Sequence, residues 1–299
     1  MPLEQRTPPT MVQANGIELC CDTFGDPQSP PLLLIMGLAA QMIAWDDDFC
    51  ALLAARGYRV IRFDNRDIGL STRFTDAGVP DVSAAFLAAM QGKPVSAPYL
   101  LSDMADDAVG LLDALGIDKA HVVGASMGGA IGQMLAIGHA QRLHTLTSIM
   151  ATTGAPGLPP PTPEALAMLF KPTPTDQAGY FESFRQTWKV LRVGSFPLDE
   201  ARDLARAGQN FARGLNPAGV ARQLTAIIAS GSRKEALAAV RVPTLVIHGD
   251  VDPLVPVACG VDTAESIPKA KLMIIESMGH ALPITLWPRI IDAIAAHAV

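Results

Sequence analysis

The 299-residue chain reads as an α/β protein, a mostly parallel sheet flanked by helices and interrupted by a helical insertion. Three observations predict this. Continuous apolar runs such as Pro31–Met36 and Pro243–His248 lack polar alternation, as strands buried on both faces do. Amphipathic segments separate them, most clearly Leu100–Leu115. Between residues 152 and 235 helical patterns follow one another with no convincing strand.

Taken in order, Gly16–Phe24 alternates as a strand, and Pro31–Met36 is a buried strand ending at Gly37. Phe49–Arg56 is a helix stopped by Gly57, and Tyr58–Phe63 is a strand closing at Asp64. In the helix Leu100–Leu115, Leu101, Met104, Ala108, Leu111, Leu112 and Leu115 form one apolar stripe. Ser102 is its expected cap, and Asp103, Asp106 and Asp107 load its first turns, where the helix dipole favours anions. A strand at Ala120–Val123 and a helix at about 128–137 follow. Pro243–His248 and Lys271–Ile275 resume the strands, and a last helix starts near Trp287.

The insertion opens on a linker, Gly154–Pro163, with prolines at 156, 159, 160, 161 and 163. The expected division is a core of residues 1–151 and 236–299 and a helical lid of 152–235. The lid carries ten Lys/Arg against seven Asp/Glu, so +3, which leaves −9 on the rest of a chain of net charge −6. Solvated surface is the expected use of that charge.

Composition excludes several classes. Hydrophobic residues are 49% and charged residues 17%, against a usual ~25% charged, so the chain is not disordered. Net charge −6, with no basic tract interleaved with aromatics, excludes a nucleic-acid binder. No run reaches the ~18 apolar residues of a membrane span, and the first ten residues, MPLEQRTPPT, show no secretory apolar region. The four cysteines, at 20, 21, 50 and 259, have no framework spacing and read as buried thiols in a reducing, cytoplasmic setting. The oligomeric state, monomer or homodimer, stays open.

The chemistry is carried by Gly124-Ala125-Ser126-Met127-Gly128, a Gly-x-Ser-x-Gly pattern. Alone the pattern is weak; its setting strengthens it. A strand leads in and a helix leads out, which is the setting of a nucleophile elbow. A serine hydroxyl needs a base. Six histidines are available. His121 and His248 lie inside strand runs, and His139, His144 and His297 on helices or helix ends. His280, in a loop just beyond Ile275, falls at the carboxyl edge of the sheet, as Ser126 does. The base needs a carboxylate to orient it. After the strand Thr244–Ile247, Asp250 and Asp252 compete for that role. Asp252, held in a turn before Pro253, is the choice, and Asp250 reads as a turn residue bonding its own backbone. Oxyanion donors are expected from the backbone N–H groups of Leu38 and Met127.

The order Ser126, Asp252, His280 is that of the α/β-hydrolases. From about Val12 onward the chain resembles an α/β-hydrolase with a helical cap. The resemblance rests on Met36-Gly37-Leu38, Trp45, Asp64–Ser71, the elbow, Asp252 and His280. Asp64–Ser71 is similar to the family's Asp-x-Arg-Gly-x-Gly-x-Ser turn, with Asp67 where a glycine is common. Met36 stands where many members carry a histidine, which removes a side-chain hydrogen bond around the loop but leaves the backbone donor. The phrases Ile-Met-Gly and Asn-Arg-Asp-Ile-Gly-Leu-Ser resemble the aclacinomycin methylesterase-like esterases. Relatives of this fold that use aspartate at the elbow, the haloalkane dehalogenases and epoxide hydrolases, are excluded by Ser126.

The expected function is a serine carboxylesterase taking a small-molecule ester, small to medium and mainly apolar. No metal or cofactor is implied by any motif. Lactonase, C–C bond hydrolase, acyltransferase and perhydrolase activity on the same triad remain open, as does a ligand receptor of low turnover. Leu166, Met168, Leu169, Phe170, Phe181, Phe184 and Trp188 either wall an apolar pocket or pack the lid itself.

Overall fold

The computed structural model describes residues 6–193, 196–197 and 199–299. Residues 1–5, on which part of the leader reading rests, and 194, 195 and 198 of the insertion lie outside the described residues. The first half runs β1 (Thr10–Ala14), β2 (Ile17–Phe24), β3 (Pro31–Ile35), α1 (Asp47–Ala54), β4 (Arg59–Phe63), α2 (Val82–Met90), α3 (Leu101–Ala114), β5 (Ala120–Ala125), α4 (Met127–Gly138) and β6 (Leu143–Ile149). The insertion then carries α5 (Pro163–Phe170), α6 (Gln177–Leu191), α7 (Glu200–Arg213) and α8 (Pro217–Ser230). The chain closes with α9 (Lys234–Leu237), β7 (Thr244–Gly249), α10 (Val257–Ser266), β8 (Lys271–Ile275) and α11 (Trp287–His297).

The strands form one eight-stranded sheet in the order β1-β2-β4-β3-β5-β6-β7-β8. It is antiparallel at β1–β2 and β2–β4 and parallel from β4 onward. Side-chain alternation divides the core between the two faces. Leu33, Ile35, Ile61 and Val122 pack under α3 and α4, while Leu32, Leu34, Val60 and Val123 pack under α1 and α11. This is the mostly parallel sheet flanked by helices that the apolar runs predict.

The differences have physical causes. Gly16 is not strand but the second residue of a tight Asn15-Gly16 turn, both at positive φ, which joins β2 to an unforeseen β1. β1 is a largely exposed edge, so its apolar signal is weak. β6 was hidden by its polar residues. Thr145, Thr147 and Ser148 are all buried, and Thr145 hydrogen-bonds His121 at 3.0 Å. His144 therefore lies on a strand, not at a helix end. Ser102 does not cap α3; Asp103 does, accepting the Leu100 N–H at 2.6 Å. Asp106 contacts His139, and Asp107 binds Arg66 and Asn15.

The insertion's positive charge is largely not solvated surface. Arg202 binds Asp46 and Asp48, Arg213 binds Asp64, and Arg222 binds Asp67. Arg222 and Asp67 are fully buried, at 1% and 0% side-chain exposure. The cationic excess of the insertion is thus spent against carboxylates of the segments beneath it.

Candidate active site

Ser126 ends the turn between β5 and α4 with φ 56° and ψ −121°, a strained left-handed conformation for a side chain to hold. Two glycines make the turn possible. A Cβ on Gly124 would run into the Gly128 carbonyl, and one on Gly128 into the carbonyl oxygen of Ile35. The turn is anchored by the Ser126 N–H, which donates to the Ile149 carbonyl on the neighbouring strand at 2.9 Å.

The structure brings the other two sequence-selected residues to this serine. His280, in the loop after β8, places Nε2 2.9 Å from Ser126 Oγ. Its Nδ1 lies 2.8 Å from Asp252 Oδ2. The second Asp252 oxygen accepts the backbone N–H groups of Leu254 and Val255, at 2.9 and 2.8 Å. Those bonds fix the carboxylate, and all three groups are buried or nearly so. Asp250 points elsewhere: its Oδ1 accepts the Ser277 N–H at 2.6 Å. It ties the ends of β7 and β8 together, which corrects the expectation that it bonds its own backbone.

His248 lies behind the carboxylate, with Nε2 2.7 Å from the Val255 carbonyl and 3.7 Å from Asp252. Burial pushes its pKa down, so it stands as a neutral ring. The His280 N–H donates to the Leu191 carbonyl at 2.7 Å, so the end of α6 rests on the histidine loop.

Above Ser126 the loop Met36–Ala40 comes very close. A Cβ on Gly37 would lie 3.0 Å from Ser126 Cβ, a contact that would press on the serine. The backbone N–H of Leu38 has no protein acceptor among the described residues, and Met127 opens the first turn of α4, where N–H groups point out of the helix. The Met36 thioether brings no N–H or O–H donor to this loop. The Met36 carbonyl instead accepts from Asn65 Nδ2 at 2.9 Å. Motif reading passed over Asn65, whose signal lay in the Asp64–Ser71 turn. It also passed over Gln41, whose amide donates to the Asn210 carbonyl at 2.9 Å, and Gln223, whose amide oxygen accepts the Ala39 N–H at 3.1 Å; both are glutamines without local signal.

Ser126 and His280 open on a cavity of about 340 Å³. Core residues Trp45, Ile68, Leu254 and Trp287 form one wall, and Met168, Leu169, Phe184, Trp188 and Leu191 of the insertion form the other. The aromatic residues of the insertion therefore divide. Phe170 packs edge-on against Phe86, and Phe181 packs on Tyr180 and Phe211, facing other side chains. The four cysteines are buried and free, and burial pushes Cys21 up to about 11 and Cys50 up to about 12, so neither is a ready nucleophile.

Comparison with known proteins shows the same fold. The α/β hydrolase fold family model matches residues 30–285. A rhodomycin D methylesterase of Streptomyces sp. strain C5 is 32% identical over 97% of this chain and 98% of its own length. That of Streptomyces peucetius is 32% identical with the same coverage. Among solved structures, a meta-cleavage product hydrolase from Pseudomonas fluorescens IP01 superposes with a TM-score of 0.73 at 21% identity, covering 96% of each chain. The likeness extends from the sheet through the elbow to the insertion, and on that ground the chain belongs to the α/β-hydrolase family.

Proposed function

We infer that the protein is a serine-dependent carboxylic-ester hydrolase working without a cofactor, with Ser126, His280 and Asp252 as its catalytic triad. The observation that carries this reading is the hydrogen-bonded line from Ser126 through His280 to Asp252, 2.9 and 2.8 Å long, at the base of an apolar cavity. Ser126 Oγ attacks the ester carbonyl as His280 Nε2 takes its proton. Asp252 keeps Nδ1 protonated and stabilises the imidazolium. The N–H groups of Leu38 and Met127 receive the oxyanion. Collapse expels the alcohol, which leaves with the proton from His280, and Ser126 keeps the acyl group. Water, deprotonated by His280, then attacks the acyl-enzyme, releases the acid and restores the serine.

The residues 152–235 act as a cap over this chemistry. The apolar walls favour a small to medium, mainly apolar ester. The relatives named as methylesterases support an ester of a small alcohol. A panel of p-nitrophenyl esters of graded chain length, with methyl esters and a lactone added, tests the reading, together with a fluorophosphonate and mass spectrometry. Ester turnover with the adduct on Ser126 is the expected result. No ester hydrolysis, or an adduct on another residue, overturns it.

A further inference from the structure

Gln223 lies on α8, far in sequence from every residue of the proposed chemistry, and is fully buried. Both ends of its amide are used, and neither bonds its own helix. Oε1 accepts the Ala39 N–H at 3.1 Å, and Nε2 donates to the Arg66 carbonyl at 2.9 Å. Ala39 is the residue after Leu38 and sits at φ 62°, where a residue with a Cβ is disfavoured. Arg66 is itself locked, its guanidinium bound to Asp107 at 2.6 and 2.7 Å. The loop is pinned on its other flank by Asn65 Nδ2 to the Met36 carbonyl. The Leu38 N–H therefore lies between two anchored peptide groups, one held by Asn65 and one by Gln223.

We propose that Gln223 is a positioning residue for the oxyanion loop: its amide holds Ala39 in the left-handed conformation that aims the Leu38 N–H at the reacting carbonyl. It supplies from the insertion a side-chain restraint that Met36 does not give. This makes the last helix of the insertion part of the transition-state machinery and not only a roof. Leu and Met at 223 remove both bonds. Glu keeps an acceptor for Ala39 but turns a carboxylate oxygen toward the Arg66 carbonyl, so the amide is required at both ends.

The inference rests on the proposed esterase reading and is tested with purified full-length protein on p-nitrophenyl butyrate. Rates are expressed per active site titrated with a fluorophosphonate, so that misfolded protein drops out. Removal of an oxyanion donor costs ~10²–10³ in kcat, and a loop left to wander is expected to cost less, about 10–100-fold for Gln223→Met, with KM within about twofold. The inhibition constant of a trifluoromethyl ketone is expected to rise by the same factor as kcat/KM falls. Thr225→Val serves as the control for damage to α8. Thr225 is buried on the same helix and bonds only the Ala221 carbonyl, so its loss lowers the melting temperature without changing kcat per site. Should Gln223→Met fail to fold, replacing Ala39 by lactate, which deletes only the N–H that Gln223 accepts, is expected to lower kcat similarly. A kcat per titrated site within twofold of wild type in Gln223→Met, or in the lactate protein if that variant does not fold, overturns the inference alone. Wild-type protein that turns over no ester overturns both it and the esterase reading.

Discussion

The first two helices of the insertion and its last helix reach the same site but are held to the molecule differently. α5 buries only Ala165, and no residue of α6 is buried. Side-chain hydrogen bonds such as Arg185 with Glu182 or Lys171 with Gln186 run within this pair, and the end of α6 touches the histidine loop through a backbone bond, the Leu191 carbonyl accepting the His280 backbone N–H. What they offer the site is apolar surface from Met168, Leu169, Phe184 and Trp188. α8 buries Gly219, Arg222, Gln223, Leu224, Thr225 and Ala226, and its polar side chains bond the segments beneath it. A wall built of half-exposed apolar side chains is replaceable one residue at a time. A seam built of buried amides and ions is not, because each lost partner leaves an unsatisfied group behind. On the proposed function, the first part of the insertion is expected to set substrate preference, and the last part to join the insertion to the chemistry.

The sheet edge sets the scale for both. Ser126→Ala is expected to cost ~10⁶ in kcat while the thermal melt stays at the wild-type value; near-normal turnover in the purified variant would remove the serine from the mechanism. Next comes the contrast between neighbouring acids. Asp252→Asn gives His280 the wrong tautomer and is expected to cost ~10⁴ in kcat, whereas Asp250→Asn, which weakens only the bond to Ser277, is expected to stay within a few-fold. Steady-state kinetics on one ester decide it, and a crippled Asp250→Asn reverses the assignment.

The α8 seam is expected to show in stability. Arg222→Met strands the Asp67 carboxylate inside the protein and is expected to cost about 3–5 kcal/mol, read by urea unfolding. The effect has a pH signature. Burial works to raise the Asp67 pKa, but Arg222, the Phe74 N–H and Tyr99 outweigh it and hold the carboxyl below its usual 3.8. Its contribution is fully present above about pH 3.8 and is lost as the pH falls through the lower folded value. The gap between wild type and Arg222→Met is thus widest near neutrality and narrows in acid; a gap that widens below pH 4 would show that the ion pair does not carry the seam. The smallest effects belong to α6. Trp188→Ala enlarges the cavity and is expected to shift preference toward longer acyl chains with little change in melting temperature. Phe181→Ala, packed on Tyr180 and Phe211, is expected to leave preference unchanged and to cost about 1–2 kcal/mol. If the two variants exchange phenotypes, the wall has been drawn on the wrong face of α6.

What could be read from the chain in advance follows a physical division. Pro31–Ile35 and Thr244–Gly249 announced themselves because a strand covered on both faces must be apolar throughout. Gly124 and Gly128 announced the elbow because no side chain fits where the two arms of the turn meet. The order of Ser126, Asp252 and His280 could be read because each follows a strand in a parallel sheet, and such strands deliver their ends to one edge. β6 escaped because Thr145, Thr147 and Ser148 are buried polar residues whose burial only neighbouring strands create.

Tertiary structure alone decided the rest. It gave the sequence-chosen acid its contact, since Asp250 and Asp252 follow the same strand and only the path of the His280 loop puts Asp252 2.8 Å from Nδ1. It decided which aromatics of the insertion face the cavity, since α6 presents Phe181 and Phe184 three residues apart and the packing of α7 takes the first and leaves the second. It turned the positive charge of the insertion into buried pairs with Asp64 and Asp67. It also brought Gln223 to Ala39 across 184 residues. Strand burial and turn sterics are imposed by near neighbours in the chain and leave their mark on local sequence. A hydrogen bond between distant segments demands only a suitable polar group at each end, and those groups are common enough to go unnoticed until the fold brings them together.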